Sequence, residues 1–76
     1  MSSIEEILKD IRPESDFSKS DDFILDGMLD SFDVVTLVAA LDQAFSISID
    51  GTEIVPENFR NIDAIRALLQ RHGVKA

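Results

Sequence analysis

Val34, Leu37, Val38, Leu41 and Phe45 stand at i, i+3, i+4, i+7 and i+11 of one uninterrupted run. At 3.6 residues per turn they share one stripe of an α-helix, and such a stripe is a core-facing surface. The spacing predicts a helix from about Ser31 to Phe45. Asp30 stands where an N-cap is needed, and Asp33 falls in the first turn, where the helix dipole favours an acid.

Two further segments repeat the pattern. Ile4, Ile7, Leu8 and Ile11 predict a first helix of about 9 residues. Ser2 or Ser3, followed three residues later by Glu5 or Glu6, supplies a capping-box start, and Pro13 ends it. Ile62, Ile65, Leu68 and Leu69 predict a last helix capped by Asn61. Arg71 and His72 lie near its C-terminal end, where the dipole favours cations, and Gly73 closes it. Between these, Pro56-Glu57-Asn58-Phe59 reads as one short helical turn with proline at its first position. Ser46-Ile47-Ser48-Ile49 alternates like a strand but has no partner strand, so an extended connection is expected, with a turn at Asp50-Gly51. Residues 14–29 form a long connection. Its Phe17, Phe23, Ile24, Leu25 and Leu29 should pin it across the helices, and Gly27 lets it turn just before Ser31. The expected fold class is all-α: a small bundle of three main helices plus one short helix, with a long loop between the first and second.

The 76 residues are expected to form a single domain, 1–76. A chain of this size buries roughly 60% of its unfolded surface, so its core is small. With no cysteine, neither disulfides nor thiolate metal sites can reinforce it. The N-terminal residues lack the basic and apolar regions of a secretion signal, and no apolar run approaches the ~20 residues that span a bilayer. A cytoplasmic monomer is the expectation. The net charge of −8 disfavours nucleic acid and anionic membranes, and it favours partners with basic patches.

Against this background Ser31 stands out. It opens the central helix between Asp30 and Asp33, in Gly27-Met28-Leu29-Asp30-Ser31-Phe32-Asp33. A helix N-terminus favours a bound phosphate. No histidine or lysine lies near in sequence to make the hydroxyl a nucleophile in its own right. A phosphate-linked attachment point therefore fits Ser31 better than a catalytic serine. Opposite the core stripe, the same helix carries Phe32, Val35, Thr36, Ala39 and Gln43, flanked by Asp33 and Asp42. Phe32 and Val35 should be partly exposed within one turn of Ser31. Two apolar side chains beside an attachment point, rimmed by acids, form a candidate docking patch.

The run from Asp30 to Phe45 resembles the second helix of acyl carrier proteins, whose signature is Asp-Ser-Leu followed by an acidic amphipathic helix. The likeness extends from Ile4 to about Leu69 in helix order and approximate spacing. It implies that Ser31, beside Asp30, carries 4′-phosphopantetheine, and that the chain is a carrier rather than an enzyme. The implied partners are a phosphopantetheinyl transferase, a loading ligase, and a downstream transferase or synthase with a basic docking patch. It implies docking through Phe32, Asp33, Val35, Thr36, Ala39, Asp42 and Gln43. It also implies shielding of cargo by the bundle, for which Val38, Leu41, Ile54, Phe59, Ile62 and Leu68 are candidate lining residues unless they simply pack. Phe32 replaces the usual leucine. Thr36 and Gln43 occupy positions that are often acidic, and Ala39 one that is usually bulkier. The cargo implied is an acyl group of fatty-acid, polyketide or related specialised metabolism.

D-alanyl carriers are the alternative. They often show Gly-x-Leu-Asp-Ser followed by Phe or Met, as Gly27 to Phe32 do here, but their usual tryptophan ahead of the last helix is missing. An unmodified acidic interaction module is the rival outside the carriers, since it needs the patch at Phe32 and Val35 but no hydroxyl at Ser31. The acids from Asp16 to Asp21 begin like a calcium loop but lack its glycine, and Gly27 stands where its glutamate belongs; no metal site is expected. No Gly-x-Ser-x-Gly, phosphate loop or dinucleotide fingerprint is present, and His72 reads as a helix-end cation.

Overall fold

A computed structural model describes residues 4–17 and 20–75. The capping box expected at Ser2 or Ser3 lies outside them. Helix α1 spans Ile4–Ile11, α2 Ser31–Phe45, α3 Pro56–Phe59 and α4 Ile62–Arg71, with a 3₁₀ turn at Gly51–Glu53. There is no strand among the described residues. The protein is all-α, with three longer helices and one short one, as the periodicity predicts. Its radius of gyration, 11.2 Å, matches the ~11 Å expected of a folded chain this long, despite the net charge.

Helix α1 packs against both α2 and α4, and α3 packs against α4. The core joins Ile4, Ile7 and Leu8 of α1 to Val34, Leu37, Val38 and Leu41 of α2 and to Ile65, Leu68 and Leu69 of α4. Phe59, from the four-residue α3, is wholly buried among them. Helix α1 ends at Ile11, and the Arg12 N–H still reaches the Leu8 carbonyl at 2.9 Å. Pro13 then prevents continuation.

The long connection is pinned as expected. Phe23 and Leu29 are buried, and Phe17 meets Phe23 edge to face with ring centroids 4.9 Å apart. The Phe23 carbonyl accepts from the Met28 and Leu29 N–H groups, closing a tight loop through Gly27 at φ +75°. Asp22 Oδ1 accepts from the Ile24 and Leu25 N–H groups. Asn61 links this loop to the far side of the bundle. Its Oδ1 caps α4 at the Ala64 N–H, while its Nδ2 donates to the Asp21 carbonyl. Leu25 departs from the expectation: it is 83% exposed and pins nothing.

Beyond α2 the chain stays extended, but its course is set by Asp42. The Asp42 carbonyl accepts from the Ser46 and Ile47 N–H groups, and its Oδ1 accepts from the Ile49 N–H at 2.9 Å. Ser46 takes the left-handed conformation, at φ 55°, to make this turn. Among the described residues no helix is long and apolar enough to cross a membrane.

Candidate functional site

Ser31 is the first helical residue of α2 and is exposed. Its position follows from a reciprocal capping box. Asp30 Oδ1 accepts from the Asp33 N–H at 2.8 Å, and Asp33 Oδ2 accepts from the Asp30 N–H at 3.1 Å. The box satisfies backbone donors that the start of a helix otherwise leaves unpaired. Ser31 is thus held in a fixed backbone turn, at the end of α2 that carries the dipole's positive pole.

The box has a third member that the sequence reading missed. Arg12 places both Nε and Nη2 on Asp33 Oδ2, at 2.9 and 2.6 Å. The same Nη2 lies 3.6 Å from Asp30 Oδ2, and Nη1 lies 3.3 Å from Glu14 Oε1. Asp33 was expected on the rim of the exposed face. It is instead buried, at 8% exposure, because capping and the Arg12 pair turn its carboxylate back onto the helix start. The Arg12 hydrogen bonds hold the Asp33 carboxyl below the usual carboxylate range. Partial burial opposes this, and the Asp30 N–H adds to it. The Arg12 guanidinium is correspondingly more basic than usual, chiefly through the same bond.

The sign of the linkage follows. A depressed carboxyl pKa stabilises the fold in full above its unfolded value, near pH 4, and that contribution vanishes as pH falls through the lower folded value. Asp50 and Glu53, depressed mainly by the backbone N–H groups they accept from, act in the same direction. The denaturant midpoint of the wild type is expected to fall below about pH 4 more steeply than that of Asp33→Asn. Equal slopes in the two proteins would remove Asp33 as the source.

The other residues of the expected docking face divide. Phe32 and Val35 are 78% and 60% exposed, and Thr36, Ala39 and Gln43 are exposed as well. The Thr36 hydroxyl donates to the Phe32 carbonyl. Asp42 is half-buried and engaged in the turn after α2, so it does not rim the patch freely.

Beside Ser31 lies an open cleft of about 260 Å³. Its walls are Val34 and Val35 of α2, Ile24 of the long loop, Ile54 and Val55 ahead of α3, and Pro56 at the start of α3. Of the lining residues expected from the sequence, only Ile54 faces this space. Val38, Leu41, Phe59 and Leu68 are buried in the bundle core, and Ile62 packs partly against it. None of these five lines the cleft. Ile24, Val55 and Pro56 carry no helical periodicity that marks them. Only the fold, through Asn61 and the Phe23 loop, brings them together. His72 does sit at the end of α4, but its Nε2 lies 2.9 and 3.1 Å from the two Glu53 carboxylate oxygens, so it ties α4 to the 3₁₀ turn.

These features fit a phosphate-linked prosthetic group: an exposed hydroxyl at a helix N-terminus, a guanidinium that partly offsets the three carboxylates around it, and an adjoining apolar cleft. Comparison with curated proteins and with solved structures gives no match. The family model described as phosphopantetheine attachment site matches residues 2–71, and the chain belongs to that family of carrier proteins, whose members bear a 4′-phosphopantetheine prosthetic group.

Proposed function

We propose that Ser31 is the attachment point and that the chain, as one carrier domain over residues 1–76, is a stand-alone acyl carrier protein. A transferase moves phosphopantetheine from coenzyme A to the Ser31 hydroxyl: the serine oxygen, losing its proton, bonds to the phosphorus that bears the pantetheine as the pyrophosphate bond breaks, and adenosine 3′,5′-bisphosphate leaves. The bound group supplies the thiol that this cysteine-free chain lacks, on which cargo is held as a thioester. The chain contributes docking, orientation and shielding. The observation that carries the reading is the exposed Ser31 at the lip of a cleft whose other walls are all apolar.

That lining favours an acyl cargo over an aminoacyl one. An aliphatic chain gains by leaving water against Ile24, Val34 and Ile54, whereas an ammonium group would find no charged partner among the cleft residues. Fatty-acid, polyketide or related specialised metabolism is the setting proposed, with a D-alanyl or other aminoacyl carrier as the alternative. Carrier domains generally work with phosphopantetheinyl transferases and synthases. Here the proposed partners are the transferase, a loading ligase and a downstream transferase or synthase. Each would present an apolar surface to Phe32 and Val35 and a basic group to the exposed Asp30 beside Ser31, and the chain would act as a cytoplasmic monomer. Intact mass after incubation with coenzyme A and a broad-specificity transferase tests the reading. A gain of one phosphopantetheine supports it. No gain under conditions that modify a known carrier promotes the unmodified interaction module.

A further inference from the structure

Helix N-termini repel cations. Yet this chain, with 7 basic residues against 15 acidic ones, places a guanidinium at the start of α2. The placement is built from both sides. The Arg12 backbone is fixed by its N–H to the Leu8 carbonyl and by its own carbonyl accepting from the Ser15 N–H, with the rigid Pro13 between. Its side chain then crosses 21 positions of sequence to put two N–H groups on one oxygen of Asp33. That same oxygen accepts from the Asp30 N–H, the backbone donor immediately before Ser31.

We propose that Arg12 is a positioning residue for the modification of Ser31: through Asp33 it locks the first turn of α2, so that the hydroxyl is presented in one orientation. This rests on the reading of Ser31 as the attachment point. Arg12 acts on the buried Asp33 carboxylate, whereas Phe32 and Val35 form the exposed apolar patch. Its loss should therefore alter the placement of the hydroxyl and leave apolar docking intact. Lysine cannot replace it fully, because a single ammonium does not reproduce the planar fork that puts Nε and Nη2 together on Asp33 Oδ2.

The test is phosphopantetheinyl transfer to wild type, Arg12→Gln, Arg12→Lys and Glu14→Gln, with kcat and KM determined well below each variant's unfolding midpoint. The Asp30 and Ser31 amide resonances are followed in parallel. Arg12→Gln is expected to lower kcat about tenfold, the scale of a small misplacement of a reacting group, with KM unchanged or lower. Arg12→Lys should fall between it and wild type even where its stability is near normal. Glu14→Gln should match wild type. Unchanged kcat in folded Arg12→Gln or Arg12→Lys, or a loss confined to KM, would overturn the proposal. So would equal losses in Glu14→Gln and Arg12→Gln. Failure of the wild type itself to be modified would instead count against the attachment point.

Discussion

Phe59→Ala is expected to remove about 3–5 kcal/mol of stability, the range for deleting a fully buried ring. The whole fold is worth roughly 0.05–0.15 kcal/mol per residue, about 4–11 kcal/mol for this length. The substitution therefore removes at least about a quarter of the stability, and all of it if the fold lies at the low end of that range. Phe59 is 0% exposed and belongs to a helix only four residues long, too short to persist without tertiary packing. Proline at its first position and the Asn58 N–H to the Val55 carbonyl start the turn, but the buried ring anchors it. Because Pro56 opens this helix, Val55 precedes it directly, and both wall the cleft, that wall should loosen with it. Urea unfolding followed by helical signal measures the effect. A loss below about 1 kcal/mol would show that the ring is not a core anchor.

Phe32→Ala should do the reverse, sparing the fold and impairing function. At 78% exposure the ring contributes little to the core, and alanine is the better helix former. As the centre of an apolar patch beside Ser31, however, it has the properties of an interface hot spot, whose truncation costs about 2 kcal/mol, or roughly 30-fold in kcat/KM with a partner enzyme. Modification of Phe32→Ala by the transferase is compared with wild type at equal protein stability. Unchanged kcat/KM would remove Phe32 from the docking surface. Val35, less exposed and with a smaller side chain, should show the weaker effect on truncation.

The parts of this molecule that were readable in sequence are those set by neighbours a few residues apart. The stripe from Val34 to Phe45, the caps at Asp30 and Asn61, and the proline positions at 13 and 56 depend on helical spacing and local hydrogen bonds, and the structure has them where the spacing predicts. The exposure of Phe32 and Val35 follows from the same wheel. The wheel fails for Asp33 because angular position says nothing of where a short side chain turns. Capping and a cation 21 positions away draw it inward. Asp42 is lost to the rim for a similar reason, its carboxylate accepting from the Ile49 N–H beyond the helix end. The cleft is the clearest case. Ile24 and Ile54 wall one cleft only because the Phe23 loop and Asn61 bring distant segments together, whereas Leu41, Phe59 and Leu68 are legible as apolar and interior but do not line the space beside Ser31.

Ser31 is the proposed attachment point of this family's prosthetic group. Peptide mapping by tandem mass spectrometry, after transfer from coenzyme A to wild type and to Ser31→Ala, tests it most directly. Added mass is expected only on the wild-type peptide that contains Ser31, with no gain in a Ser31→Ala protein of unchanged helical content. Added mass on another serine or threonine, or a gain retained in Ser31→Ala, would contradict it.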